Sequence, residues 1–240
     1  MTRTTVITGG TKRVGKQIAS TLAAAGHRVI ITTREVTDGD RAFADSLGHA
    51  SLAISLDLND PASLDACLQQ LAGESISGIV HNASIYEPTK LDDITLEIAE
   101  RYYRVHAAGP LVLTAKLAPQ LAQSQNSAIV CMADIHVIGR PRTHFAPYSM
   151  SKAALVEMVR SLSRDLAPHT RVNGIAPGVI LWPDDGHESD DASQQAYLKR
   201  VPLDRSGTPE EAAEAVRWLL DDASYTTGQI IRIDGGRWLA

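Results

Sequence analysis

The chain alternates two kinds of segment. Short runs that are apolar on consecutive positions occur at Thr4–Thr8, Arg28–Thr33, Ser51–Leu56, Gly78–His81, Ala128–Met132, Arg171–Ile175 and Gln229–Ile233. Strands covered on both faces need apolar residues on consecutive positions, so the pattern predicts a parallel sheet. Longer helical stretches lie between them. Val14–Ala25 follows a glycine-rich turn and stops at Gly26, a C-terminal cap signal. Pro61–Leu71 has Asn59 and Asp60 as candidate caps and Pro61 in its first turn. Thr95–Leu121 is long and contains Gly109-Pro110, which predicts a bend. Tyr148–Leu166 ends just before Pro168. Thr208–Leu220 opens Thr-Pro-Glu-Glu, with Thr208 capping and two acids at the positive end of the helix dipole. Strand–helix alternation throughout predicts an α/β fold with a doubly wound parallel sheet. Such sheets bind ligands at the carboxyl ends of their strands, so the segments after each strand carry the function.

Composition narrows the class. The 240 residues are 44% hydrophobic and 21% charged, enough to bury a core and too apolar for disorder. Lys plus Arg number 23 against 28 Asp plus Glu, a net charge of −5, which removes the electrostatic case for nucleic-acid binding. Two cysteines, Cys67 and Cys131, cannot build a disulfide framework and read as buried free thiols. No apolar run reaches membrane-spanning length and the first residues run straight into a strand, so a soluble cytoplasmic protein is expected.

The first strand is followed by Thr8-Gly9-Gly10-Thr11-Lys12-Arg13-Val14-Gly15. Glycines allow a tight turn and close approach to a pyrophosphate, and the helix start that follows offers N–H groups and a positive dipole end. An ordinary strand-to-helix turn also favours glycine. Arg34, just past the second strand, stands where an adenosine ribose would lie. Arginine there suits a 2′-phosphate, as an acid would suit a free hydroxyl; the other reading pairs Arg34 with Glu35. With Lys12 and Arg13 nearby, NADP is favoured over NAD. Asp57 and Leu58 follow the third strand. Asp57 either accepts from an adenine amino group or caps the next turn with Asn59 and Asp60. Asn82, Ala83 and Ser84 follow the fourth strand, where the small Ala83 lets backbone pass close to a cofactor. Tyr148 and Lys152 lie four apart, on one face of a helix. A cation beside a phenol lowers its pKa from about 10 and makes it a better proton donor.

These features together resemble the short-chain dehydrogenase/reductase family over essentially the whole chain. The resemblance rests on Thr8–Gly15, Asn82-Ala83, Tyr148-x-x-x-Lys152, Arg171–Gly178 and Asp234-Gly235-Gly236. It implies one domain over residues 1–240, a Rossmann-type sheet of about seven strands, and hydride transfer from a nicotinamide. It also implies proton transfer by Tyr148, with Lys152 on the nicotinamide ribose tuning that tyrosine. The backbone of Pro177, Gly178, Val179 and Ile180 is expected at the carboxamide, followed by a substrate lid over roughly 179–206. A homotetramer is expected on the same ground.

Three departures are informative. Asp134 falls where most members carry a carbonyl-polarising serine. A carboxylate beside a developing alkoxide is repelled by about 4 kcal/mol at about 4 Å and an effective dielectric of about 20. Simple ketone reduction is thus disfavoured, and a substrate with ring N–H groups is favoured. Arg13 replaces the middle glycine of the first turn and is expected to help hold the phosphates. Tyr86, four residues after Asn82, is expected to wall a slot for a flat heterocycle. The three together resemble the pteridine reductase branch, with the bacterial dihydromonapterin reductases most similar. That implies an NADPH-dependent reduction of a dihydropterin or dihydrofolate, with Arg13, Ser84, Tyr86, Asp134, Tyr148 and Trp182 toward the substrate. The alternative is a reductase of a ketone or 3-oxoacyl thioester.

Other features carry less. His106 stands in place of the family's active-site asparagine, either functional or simply a satisfied histidine in a helix bend. His136 and His144 lack metal-ligand spacing, and no metal is expected. Asp184, Asp185, Glu188, Asp190 and Asp191 read as a solvated acidic loop. Trp182 either covers the substrate or anchors the lid. Trp238 is expected at a subunit contact.

Overall fold

The computed structural model describes residues 3–139, 141–182 and 190–239. Its seven strands are β1 (Thr4–Ile7), β2 (Arg28–Thr33), β3 (Leu52–Ser55), β4 (Gly78–His81), β5 (Ser127–Met132), β6 (Thr170–Pro177) and β7 (Ile230–Ile233). They form one parallel sheet in the order β3-β2-β1-β4-β5-β6-β7. The chain order reverses between β1 and β4, and a crevice opens above their carboxyl ends.

The consecutive apolar positions face two separate cores. Val6, Ile30, Ile79, Ile129 and Val172 point to one side, against Leu64 and Leu71 of α3 (Pro61–Leu71), Leu113 and Leu117 of α5 (Gly109–Gln123), and Leu155 and Val159 of α6 (Ala146–Asp165). Ile7, Ile31, Val80, Val130 and Ile175 point to the other, against Ile18 and Leu22 of α1 (Arg13–Ala24), Ala44 of α2 (Asp38–Ser46), and Val216 and Leu220 of α8 (Pro209–Asp221). Successive strand residues alternate faces, so a strand buried on both sides reads as an unbroken apolar run. Cys67 and Cys131 are buried free thiols in the first core. Burial pushes them up to about 11 and about 12, so both are unreactive near neutral pH.

The expected bend in the fourth helical stretch takes a specific form. α4 (Leu96–Tyr103) runs into a π-helical turn over Arg104–Ala108, which runs into α5. Pro110 has no N–H and its ring crowds the carbonyl four residues back, which widens the turn before it. Gly109 donates to Arg104 O five residues back, and a Cβ on Gly109 would stand 2.9 Å from that oxygen. Two short helices go beyond the hydrophobic pattern. α2 is capped by Thr37 with a reciprocal Asp40 bond, and α7 (Asp191–Leu198) is capped by Asp190 on Ser193 N. Asp190 thus caps a helix and Asp191 stands in its first turn, instead of both belonging to an acidic loop; Asp184, Asp185 and Glu188 lie outside the described residues. Trp238 packs within the chain: a Cβ on Gly139 would meet its ring at 2.2 Å, and Arg232 lies 4.3 Å from the ring centre. No helix among the described residues is long and apolar enough to cross a membrane.

Candidate active site

The glycine turn after β1 is laced to the loop after β4. Thr8 Oγ1 accepts the N–H groups of Asn82 and Ala83, each at 3.0 Å. Asn82 Nδ2 donates back to Thr8 O and Gly9 O at 3.1 and 3.0 Å. Gly9 has φ +65°, and a Cβ there would lie 3.0 Å from Ala83 Cα. At Gly15 a Cβ would lie 2.1 Å from Gly9 O. Only glycine fits this fold of backbone on backbone. Lys12 at the start of α1 makes no side-chain cap bond and no acid stands in the first turn, so the first amides can serve an anion. Arg13 holds a left-handed φ of +51°, strained for a residue with a side chain. Its Nη2 donates to the carbonyls of Leu181 and Trp182 at 3.3 and 3.1 Å. The guanidinium thus reaches the backbone shortly after β6 while the residue lines the crevice.

A second cluster lies across the crevice. Tyr148, in the first turn of α6, donates its phenol proton to Asp134 Oδ2 at 2.8 Å. Asp134 Oδ1 accepts from His136 N at 2.7 Å, which fixes the carboxyl group. Lys152 is buried and donates to Met132 O at 2.7 Å, with Nζ 6.0 Å from the Tyr148 ring centre. This corrects the simple cation–phenol reading. Burial first, then the Asp134 carboxylate, push the Tyr148 phenol well above 10, because both penalise the phenolate. Burial brings Lys152 down to about 8, against an opposing pull from Asp134. Tyr148 is a neutral phenol aimed at a carboxylate.

Tyr86 forms the outer wall. Its ring stacks on Phe145 at 4.8 Å and 27°, and stands edge-on to Tyr148 at 5.0 Å. Arg142 lies 5.7 Å from the Tyr86 ring centre and donates to the Tyr86 hydroxyl. A crevice of about 740 Å³ joins these parts. Gly9, Lys12, Arg13, Val14, Gly15 and Arg34 line one end, with Asp57, Leu58, Asn82 and Ala83 beside them. Ser84, Tyr86, Asp134, Tyr148 and Trp182 line the other, with Pro177, Gly178, Val179 and Ile180 between. Of the predicted site residues, Lys152 alone stands behind the wall. Asp57 Oδ1 accepts from Asn59 N at 2.8 Å, while Asp60 caps α3, so Asp57 serves its own turn and faces the crevice as well. Trp182 stands edge-on to Tyr197 of α7 at 5.5 Å.

His106 and His81 are buried and neutral. Burial takes His106 down to about 2 and His81 down to about 3. The unfolded chain therefore binds protons first as pH falls through about 6.5, and the stability held above that pH is lost toward pH 3. Between pH 6.5 and 5, above the carboxylate range, each histidine is expected to remove up to about 1.4 kcal/mol per pH unit. Urea midpoints across that window check this; a flat profile would mean that the two rings ionise without unfolding.

A family model described as enoyl-(acyl carrier protein) reductase matches residues 10–237. The chain belongs to the short-chain dehydrogenase/reductase family. It is an oxidoreductase of that type. It is 30% identical to the 3-oxoacyl-[acyl-carrier-protein] reductase FabG of Aquifex aeolicus, over 98% of this chain and 96% of that one. The crystal structure of FolM alternative dihydrofolate reductase 1 from Brucella canis, complexed with NADP, is 29% identical with a TM-score of 0.87, covering 99% of this chain and 95% of that one. A short-chain dehydrogenase/reductase (glucose/ribitol dehydrogenase) from Brucella melitensis is 30% identical with a TM-score of 0.87, covering 99% and 97%.

As a member of this family the chain brings further residues to the crevice that its sequence motifs did not flag, among them Ile85, Arg101, His136, Arg142 and Tyr197. Ile85, His136 and Arg142 stand outside the long helices and strands, and Arg101 on the exposed face of α4, where periodicity carries no signal; Tyr197 is the buried residue of the short α7. Among the described residues no group of three or more His, Cys, Asp or Glu is placed to hold a metal.

Proposed function

We propose that this short-chain reductase uses NADPH to reduce a 7,8-dihydropterin, such as dihydromonapterin, or dihydrofolate, to the tetrahydro form. The observation that carries this reading is Asp134, hydrogen-bonded to Tyr148 at the catalytic end of the crevice. An ionised carboxylate only accepts hydrogen bonds. It suits the N–H edge of an aminopyrimidine ring and opposes the oxyanion that ketone reduction develops. Tyr86 supplies the flat aromatic wall that a bicyclic ring needs. The 29% identity to the Brucella FolM structure supports the same reading. The 30% identity to FabG keeps a 3-oxoacyl thioester as the rival substrate.

The residues present fit a dinucleotide. The close packing of Gly9 and Gly15 leaves a cradle that any Cβ would fill, beside the uncapped start of α1. Arg34 is exposed at the far end, and among the described residues no ion pair with Glu35 holds it. Bound there, a reduced nicotinamide supplies the hydride for an imine carbon of the substrate. Gly9, Val14 and Gly15 would hold the diphosphate through backbone, and Arg34 with Lys12 would hold the 2′-phosphate. Tyr148, positioned by Asp134 before substrate binds, turns its phenol proton to the ring nitrogen next to that carbon, and solvent water returns a proton to the phenolate so formed. Lys152, fixed on Met132 O, supplies positive charge from behind.

NADPH oxidation measured with dihydromonapterin, dihydrobiopterin, dihydrofolate and an acetoacetyl thioester tests the reading. Turnover of a pterin or folate substrate is expected; preference for the thioester would overturn it. Arg34→Glu places a negative charge where the 2′-phosphate would bind. It is expected to raise the KM for NADPH by about ten- to hundredfold, from loss of a charge-assisted bond, and to leave NADH less affected.

A further inference from the structure

His106 is buried, does not line the crevice, and uses both ring nitrogens. Nε2 lies 3.1 Å from the N–H of Ile85 and 2.9 Å from Ser84 Oγ. A backbone N–H can only donate, so Nε2 must be the bare, accepting nitrogen. The proton therefore sits on Nδ1, 2.7 Å from Ser151 Oγ. Ser151 Oγ in turn donates to Tyr148 O at 2.7 Å. One imidazole thus joins two elements that carry opposite sides of the site. On one side are Ser84 and Ile85, next to Tyr86. On the other is the first turn of α6 with Tyr148. The ring also stands edge-on to Tyr148 at 5.5 Å, with Tyr102 5.9 Å away.

We infer that His106 is a positioning residue: a neutral, tautomer-fixed strut that sets the distance between the Tyr86 wall and Tyr148, with no part in moving protons. The π-helical turn is what makes this possible. It carries His106, Val105 and Ala107 inward together, all of them buried, where a regular helix turns through 100° per residue. Both nitrogens are occupied, so no position on the ring is left for a relay water or a substrate atom. An imidazolium would need a donor at Nε2, facing the Ile85 N–H head-on. Burial, and the Lys152 ammonium beyond it, hold the ring neutral in agreement with this geometry.

The inference rests on the proposed roles of Tyr86 and Tyr148, and not on the identity of the substrate. Whichever compound the wild-type enzyme turns over serves for the kinetics. A failure of the pterin reading would therefore appear in the wild type, and a failure of the strut in the variants. His106→Phe keeps the ring and removes both nitrogens. It is expected to raise the substrate KM about tenfold, since the three hydrogen bonds that tie the two sides of the slot are lost, with kcat within about threefold. The pH profile of kcat and the KM for NADPH stay unchanged. In a Tyr86→Ala background the same change is expected to add less than about twofold, because the wall it positions is gone. A fall in kcat of hundredfold or more with an altered pH profile would assign His106 to the proton path and overturn the strut. An unchanged substrate KM, or full additivity with Tyr86→Ala, would make it a mere filler. Nitrogen-15 NMR of the wild-type imidazole gives an answer that needs no variant to fold. A single Nδ1–H tautomer from pH 5 to 9 is expected; an Nε2–H form, or titration near 6.5, would refute it.

Discussion

Asp134→Ala is expected to lower kcat/KM for a dihydropterin by about 10³-fold, within the range for removing a positioned acid–base group. The cost to folding is far smaller. Asp134 is half-buried and makes two hydrogen bonds, to Tyr148 and to His136 N. Losing them costs about 1–2 kcal/mol, or a fall in Tm of about 2–8 °C for a chain of this size. The sign of the effect on Tyr148 sharpens the test. Asp134 holds the phenol pKa up, so its removal lets that pKa drop, and the phenol becomes a stronger acid in the variant. A simple proton-donor deficit would therefore be eased by the substitution, and a large loss must come from the lost positioning of the phenol or from the missing acceptor for the substrate's N–H edge. Asp134→Ser carries this further. It removes the charge that opposes an oxyanion and restores a hydroxyl donor, so turnover of an acetoacetyl thioester is expected to rise while pterin turnover stays low. Full pterin turnover by Asp134→Ala, measured beside an unchanged Tm, would mean that the carboxylate is incidental and would remove the ground for a pterin substrate.

Why the place of Asp134 was legible and the partners of His106 were not is a matter of range. Asp134, Tyr148 and the glycine turn lie at fixed offsets from strand ends and helix starts, where the order of elements fixes their place. The seven strands follow from runs buried on both faces, and their ends shift by only a residue or two, as where Thr170–Pro177 extends the expected Arg171–Ile175. α2 is different. Its sequence DGDRAFADS buries only Ala44, so no apolar stripe marks it, although the Thr37–Asp40 capping box was readable. Lys152 shows the limit of local spacing. The four-residue step to Tyr148 placed it on the right helix face, but the bond it makes is to Met132 O on β5, twenty residues back. The His106 strut joins residues 21 to 45 apart. Arg13 combines both cases: its place in the turn was plain, while its reach to Leu181 and Trp182 spans 168 and 169 residues.

Gly15→Ala is expected to be the most damaging added methyl group among the described glycines. Inside an exposed helix the change from glycine normally gains about 1 kcal/mol. Here the added Cβ would stand 2.1 Å from Gly9 O and 2.5 Å from Asn82 Nδ2. Gly9 O is backbone in a turn already pinned by Asn82 Nδ2 and packed on Ala83, so no flexible side chain can swing away. Relief requires either moving the turn off β4 or moving the start of α1. The first breaks the bonds between Thr8, Gly9 and Asn82; the second displaces the amides that would face a diphosphate. The clash therefore outweighs the propensity gain, with a net loss of about 3 kcal/mol or more, at the upper end for one substitution. Nucleotide binding is expected to fall by at least about a hundredfold even where the variant folds, since about 3 kcal/mol is about two decades in affinity. Gly73→Ala supplies the control: its Cβ meets nothing within 4 Å, so stability and binding should both match the wild type. Urea denaturation and calorimetric titration with NADPH separate the two effects. If Gly15→Ala bound NADPH within about threefold of wild type, the diphosphate would have to sit away from this turn, and the crevice would need a different ligand.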